Sequence, residues 1–333
     1  MSSTALMLDE TVERLLSRHF ATAVRGSAES SSTLLAEAIE AGLDLVFVPE
    51  DGGGLGAGLL EGAAVSYRWG YHAAPLPIVE MLLLRELKGL GLLADDENAA
   101  LAVLPTGLNI EQPVLATAVD GEPSVIVVGY AGSGGRLSLA GFAPGNAVQR
   151  RSMAGEPLFI LETRSVTPLW ARETDLRAAD LAAKGALLTA TAILGMTQRL
   201  LEVAIEHVNT RKQFGKPLAK FQAIQHQLAE AAAEHVVAQA ATRSAISAYD
   251  AGKLKDLSWQ SAKMQAGKAG TVVASVTHQV LGAIGFTEEH LLHHYSKRLW
   301  HLRDHWGREV ELRKAIGSAA AENSDRLWAW MVD

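Results

Sequence analysis

Between about residues 100 and 170 the hydrophobic residues of this chain change period, and that change divides the sequence into three parts. Up to about residue 98 apolar side chains recur at helical spacing, as in Leu34, Leu35, Ala38, Ile39 and Leu43, broken by a glycine-rich stretch at 52–58 and by Pro75 and Pro77. The middle part instead carries short β-type runs, Ser124 to Gly129, Arg136 to Gly141 and Leu158 to Glu162, separated by glycines, prolines and an Asp120-Gly121 turn signal. From Asp180 to Trp330 long alanine- and leucine-rich stretches return, with breaks near Gly215, Gly252, Gly285 and Gly307. The expectation is an α+β chain, mostly α. Residues 1–99 form an N-terminal helical domain, 100–178 a small middle β domain, and 179–333 a C-terminal bundle of four to six helices.

The most informative local segment runs from Arg211 to Ala229. Arg211 and Lys212 close one helical stretch, and Gly215 and Pro217 break it. Phe221, Ile224, Gln225 and Leu228 then recur at i, i+3, i+4 and i+7, one face of a second helix. An arginine fork suits a phosphate or pyrophosphate, and a neighbouring aromatic ring can cover a base. The same spacing also suits an ordinary helix-turn-helix corner with a surface arginine.

Composition narrows the function classes. The chain has no cysteine, which excludes disulfides and a thiolate nucleophile. Thirty Lys and Arg against 37 Asp and Glu give a net charge of −7, against a general nucleic-acid binder. The first twenty residues are charged throughout and the run from Met81 to Glu86 is short and charged, so neither a secretory signal nor a membrane span is expected and the chain is read as cytoplasmic. The glycines at 52–58 miss the dinucleotide-binding fingerprint: the sixth place from Gly52 is Ala57, and Glu50 and Asp51 sit where a pyrophosphate would come.

Three segments carry a family resemblance. Arg211-Lys-Gln-Phe-Gly-Lys-Pro-Leu with the following Phe221-Gln-Ala-Ile-Gln-His-Gln-Leu-Ala resembles the flavin-binding segment of the acyl-CoA dehydrogenases. Gln279-Val-Leu-Gly282-Ala-Ile-Gly285-Phe-Thr-Glu288 is similar to the family's Gln-x-x-Gly-Gly-x-Gly-Tyr-Thr-x-Glu, with Ala283 replacing the second glycine. Gly42 to Gly56 is similar to a loop of the family's N-terminal domain. The resemblance is strong from about residue 185 onward and weak between about 100 and 180. It implies FAD as cofactor, with Arg211, Gln213, Phe214, Gln279 and Gly282 as contacts, and α,β-dehydrogenation of an acyl-CoA thioester, in which a carboxylate removes the α proton while the β hydrogen leaves as hydride.

The family's usual base, the glutamate of a Glu-Gly-Thr motif, falls here on Trp306-Gly307-Arg308, so no catalytic residue is assigned. Gly307 and Arg313 keep their family places, and Val310 stands where a further polar flavin contact is common. Substitutes are weak. Some members carry the acid on a bundle helix, which this reading places near Ala251 and Gly252, beside Asp250. Glu309 and Glu311 require register slips of three and five residues, and His305, with His301 one turn before it, reads as a helix face as well as a base. His290, His293 and His294 lack a completing ligand set, so no metal is expected. The family's Thr-Glu-Pro-x-Ala-Gly-Ser-Asp stretch, which touches the flavin of its own subunit, is also missing, and Gly129 to Gly135 reads as a hairpin loop.

What is kept and what is lost then sort by subunit, because in this family the Arg-x-Gln-Phe-Gly and Gln-x-x-Gly segments reach the neighbour's FAD. The expectation is a short subunit that completes a flavin site for a full-length acyl-CoA dehydrogenase partner, in a heterodimer or heterotetramer, acting on an acyl-CoA of steroid or other polycyclic type. An electron-transfer flavoprotein is a candidate partner; nucleic acid and membrane are not. The alternatives are a homo-oligomer with a non-standard base and a flavin-free binding or scaffold protein on the same fold.

Overall fold

Pro77 fixes the entry to a helix at Ile78, one of four that open the chain. In the computed structural model, which describes residues 2–22, 28–104 and 113–332, these helices are α1 (Ser3–Thr22), α2 (Ala28–Glu40), α3 (Leu59–Tyr71) and α4 (Ile78–Gly89). Leu34, Leu35, Ala38 and Leu43 are buried as their spacing implies, whereas Ile39 is half exposed. The apolar run after residue 42 is no strand: Leu43–Leu45 and Glu50–Gly52 are single 3-10 turns, and α3 starts only at Leu59. Gly54 is required here, since a Cβ would lie 2.1 Å from the Val48 carbonyl oxygen.

Seven strands follow: β1 (Ala99–Val103), β2 (Val114–Ala118), β3 (Val125–Ala131), β4 (Arg136–Phe142), β5 (Ala147–Arg151), β6 (Pro157–Leu161) and β7 (Trp170–Arg177). They form one sheet in the order β5-β6-β2-β1-β3-β4-β7. β1 and β3 run parallel and every other pair is antiparallel. The Asp120-Gly121 turn therefore does not close a simple hairpin; it carries the chain from β2 past β1 to β3. Gly132 to Gly135 does link a β3–β4 hairpin. Residues 105–112, inside the stretch expected to be β, lie outside the described part.

β7 runs straight into α5 (Ala178–Thr210), the central helix of the second helical part. A two-residue ladder, β8 (Lys212–Gln213) with β9 (Lys216–Pro217), turns the chain into α6 (Gln222–Asp250); α7 (Asp256–Leu281), α8 (Leu292–Asp304), α9 (Glu309–Glu322) and α10 (Leu327–Val332) complete it. Alanines and glycines let these helices approach closely: a Cβ on Gly195 of α5 would lie 2.0 Å from the Tyr67 carbonyl oxygen of α3. α5 and α7 are each long and apolar enough to cross a membrane, but 89% of the apolar window of α5 is buried inside the protein, as befits a core helix. The fold is mostly helical around a mixed sheet.

Candidate functional site

The two ends of α5 hold the residues singled out from the sequence. Near its start, the loop between α8 and α9 places Trp306 against it. Lys263 of α7 pins that loop by donating to the carbonyls of Arg303 (2.8 Å) and Gly307 (3.3 Å). Trp306 takes a left-handed conformation, φ 54°, rare for a bulky side chain. Its ring lies flat on Gly185 of α5, where a Cβ would come within 2.1 Å of the indole. The indole Nε1 donates to Oε1 of Glu80 at 2.7 Å, and His305 Nε2 lies 2.5 Å from the same oxygen. Glu80, in the first turn of α4, is 2% exposed.

A second polar layer backs this one. The His301 ring stacks on His305 at 5.1 Å, and its Nε2 lies 3.5 Å from Oε2 of Glu156. Arg298 donates to Oε1 of Glu156 at 3.1 and 2.9 Å, and to the Ala73 carbonyl at 3.0 Å. Burial is the largest single influence on the Glu156 carboxyl and would raise it, but Arg298 together with His301 and His305 outweighs it and holds the group below the usual range. Burial, reinforced by His305, pushes His301 down to about 4, so it is neutral at pH 7 and Arg298 carries the charge pairing. The open space left among Glu80, Glu156, Arg298, His301 and His305 is about 20 Å³, room for about one water.

The other candidate acids go elsewhere. Asp250 accepts from the backbone N–H groups of Leu59 (2.7 Å) and Leu60 (3.1 Å) and so caps α3, which removes it from consideration beside Trp306. The helix residue that faces Trp306 is Gly185, not the 250–252 end of α6. Glu309 pairs with Arg313 at 2.6 Å on α9, Glu311 with Arg308 at 2.6 Å, and Val310 is 78% exposed. His290 and His293 spend ring nitrogens on local backbone groups. Among the described residues, no three His, Asp or Glu side chains converge to hold a metal ion. Glu80 and Glu156 were missed from sequence because each meets its partners across more than 140 positions.

Arg211 caps the far end of α5, 26 residues beyond Gly185 and about 39 Å along the helix. Arg211, Lys212, Gln213 and Phe214 are all exposed, and among the described residues the Arg211 and Gln213 side chains have no hydrogen-bond or ion-pair partner. Phe214 is 89% exposed and, like Trp306, left-handed at φ 49°; its ring meets Phe221 edge-on at 6.1 Å. Leu218, Ala219, Ile224 and Leu228 pack this turn onto Ala204 and Val208 of α5 and Val276 and Val280 of α7. That packing brings Gln279 and Gly282, which end α7, to the same end of the bundle. Gln279 is exposed, and Gly282, at φ 63°, opens onto free space. The imidazoles here are held neutral: burial and Arg211 lower His207, and burial with His207, His278 and His293 lowers His290. Both ring nitrogens of His278 are buried without a partner, between Phe286 and Trp300.

Known proteins extend this picture. Residues 178–302 match the family description "Acyl-CoA dehydrogenase, C-terminal domain". "Acyl-CoA dehydrogenase IpdE2" of Mycobacterium tuberculosis is 30% identical over 305 residues, 88% of this chain and 89% of the relative; its Mycolicibacterium smegmatis counterpart is 28% identical over 311 residues, 90% and 93%. Two solved structures share the fold at a TM-score of 0.75. One is a Tcur3481-Tcur3483 steroid ACAD variant, 23% identical, covering 96% of this chain and 98% of its own. The other is the ChsE4-ChsE5 complex from Mycobacterium tuberculosis, 20% identical, covering 97% and 98%.

Proposed function

The chain belongs to the acyl-CoA dehydrogenase family of FAD-dependent oxidoreductases, and on that premise we propose that it is the subunit that completes an FAD site for a catalytic partner while holding no base of its own. The observation that carries this reading is the seating of Trp306. Where the family resemblance puts the base and the substrate's α carbon, the indole rests on Gly185 and bonds Glu80, and the space beyond Glu80, among Glu156, Arg298 and His305, is only about 20 Å³. A thioester with its acyl group needs a pocket of several hundred Å³. Glu80 and His305 are a carboxylate and an imidazole close together, which would favour an own-base reading, but each is turned to the other and to Trp306, with no room for a substrate carbon.

At the other end of α5 the residues present fit a group carrying a pyrophosphate and an aromatic base that approaches from outside the chain. Arg211 supplies a planar fork and Gln213 and Gln279 amides, all without a partner among the described residues, Phe214 an exposed ring, and Gly282 an approach free of side chain. FAD bound there would supply the hydride acceptor, in a site whose base and acyl pocket belong to the partner. The role of this chain is binding and orientation: Arg211 neutralises phosphate charge, and Phe214, held left-handed at a cost of about 1–3 kcal/mol, keeps its ring exposed. The ChsE4-ChsE5 structure is a complex of two chains and the Tcur3481-Tcur3483 protein is a steroid enzyme by its description. A steroid-derived acyl-CoA is accordingly the substrate class proposed for the heteromer, with an electron-transfer flavoprotein as candidate acceptor and the cytoplasm as location.

The test is flavin content and turnover of the chain alone and co-purified with a full-length family partner. The expected result is little flavin and no turnover alone, and about one FAD per heterodimer with turnover in the complex. One flavin per chain in the isolated protein, bleached by an acyl-CoA, would overturn it.

A further inference from the structure

Arg298 also lines a second cavity, of about 240 Å³, where three pieces of the chain meet: the turn after α3 at Ala73 and Pro75, the β5–β6 turn at residues 153–155, and the first two turns of α8. Small-ligand sites favour such junctions between the parts of a fold, although this one is too small for a polycyclic acyl-CoA. The α8 wall consists of four basic side chains, His293, His294, Lys297 and Arg298, in two pairs spaced i, i+4 on one helix face. Pro75, Met153 and Ala154 make the rest of the lining largely apolar.

The walls are fixed before any ligand arrives. Ser152 Oγ accepts from the N–H groups of Ala154 and Glu156, both at 3.2 Å, and Arg151 donates to the Gly155 carbonyl at 2.8 Å, so the β5–β6 turn is held from within. Across the cavity Ala73 is left-handed at φ 47°, a conformation that a non-glycine residue keeps only where its surroundings impose it, and Arg298 holds its carbonyl. His293 turns Nδ1 to the His290 carbonyl at 2.8 Å. Its Nε2 has no partner among the described residues and is not sealed from solvent, so it is open to a ligand.

The charges around the cavity select the ligand. No carboxylate lines it, and Glu156, the acid behind it, is spent on Arg298. Lys297 is exposed, and neither it nor Arg151 has a carboxylate partner among the described residues, which leaves the cavity with uncompensated positive charge. The His293 and His294 rings lie 3.9 Å apart, close enough for one anion to meet both. Donors spread along two helical turns suit a phosphate, whose three oxygens accept from several directions, better than a planar carboxylate. We propose that this cavity binds a small phosphomonoester, with the phosphate on His293 Nε2 and Lys297 above the Arg298 charge and the organic group against Pro75 and Met153. The site is independent of the flavin reading, since none of its residues belongs to the Arg211 end of the bundle.

The experiment is calorimetric titration of the full-length chain with phenyl phosphate, inorganic phosphate and phenol, repeated on Lys297→Met and His293→Phe. Lys297 is exposed and its replacement leaves the fold intact, and phenylalanine keeps the ring volume of His293 while removing Nε2. Expected are one phenyl phosphate per chain, inorganic phosphate weaker by about tenfold, no binding of phenol, and a loss of about tenfold in each variant with an unchanged circular dichroism spectrum. No phenyl phosphate binding at millimolar concentration, phenol as tight as its phosphate, or unchanged binding to Lys297→Met would each overturn the proposal. Equal affinity for inorganic phosphate and the ester would overturn the organic half of the site and assign it to free phosphate. Should His293→Phe fail to fold, the Lys297→Met comparison alone decides. No readout involves flavin or turnover, so a negative result here leaves the flavin reading standing.

Discussion

The two ends of α5 pose the same backbone problem and solve it in opposite ways. Each sets a bulky aromatic residue in a left-handed turn, Trp306 at φ 54° and Phe214 at φ 49°. At the first end every donor is used inward: indole to Glu80, His305 to Glu80, Arg298 to Glu156 and Ala73, Lys263 to two carbonyls. At the second the guanidinium, the amides and the ring are left to solvent. A buried polar network with all members paired is a structural solution, because no group in it has a bond left to give. An exposed, strained turn whose Arg211 guanidinium has no partner among the described residues has no such internal account. That contrast is why the proposed flavin contact lies on the surface of this chain and not in its interior.

The sharpest way to break that contrast is to unpair the closed end. Arg298→Met leaves the Glu156 carboxylate buried without its cation and frees the Ala73 carbonyl, and should cost about 3–5 kcal/mol of stability by denaturant midpoint. Pairing it with Glu156→Leu should return most of the loss, since two apolar groups of similar volume remove the unpaired charge. A loss under about 1 kcal/mol in the single variant would mean that the network is wet and the first end is as open as the second.

Next in size is Trp306→Ala. Removing a half-buried indole, with its bond to Glu80, should destabilise by about 2–3 kcal/mol yet leave turnover of the assembled heteromer within a factor of about three. A hundredfold drop with assembly intact would place an active site in this chain. At the open end the pattern should invert. Arg211→Ala should leave stability within about 0.5 kcal/mol while weakening FAD retention in the complex by about 1.5–3 kcal/mol, ten- to a hundredfold in Kd. Arg211→Lys should recover part of this, and added FAD should restore turnover. Equal FAD affinities in the three versions, read by flavin fluorescence, would return Arg211 to an ordinary surface residue.

The sequence was legible where a pattern is local. Strands at 125–131, 136–142 and 157–161 fall where short apolar runs lie between glycine, proline and turn signals, and the Gly215–Pro217 break does separate two long helices. Helical spacing places Ile39 in α2 but does not say how wide the buried stripe is, and its side chain is half exposed. The parallel pairing of β1 with β3, and the course of the chain past β1 at Asp120-Gly121, depend on strand order, which no short window contains. Glu80 was invisible for a different reason. An acid three residues after Pro77 at a helix start reads as a favourable dipole contact with solvent, and only folding shows that it is sealed under Trp306, 226 positions away.

The smallest effect concerns how the closed end is kept shut. Lys263 is 1% exposed beneath the 303–307 turn, and burial lowers its amine to about 7, far below an unfolded lysine. Between pH 7 and 10 the unfolded chain therefore binds a proton that the folded chain has released, so the contribution of Lys263 to stability rises with pH across that window and is flat, at its least favourable, below it. The neutral amine still has two hydrogens, enough for the carbonyls of Arg303 and Gly307. Unfolding free energies at pH 7.5 and 8.5 should then differ by up to about 1.4 kcal/mol in the direction of greater stability at the higher pH, and the difference should shrink in Lys263→Met. Arg211→Lys, at the open end, should leave that slope untouched, because an exposed amine titrates alike in both states. A slope shared by the parent and Lys263→Met would show that water reaches the turn and that the two ends of α5 differ less than their hydrogen bonds imply.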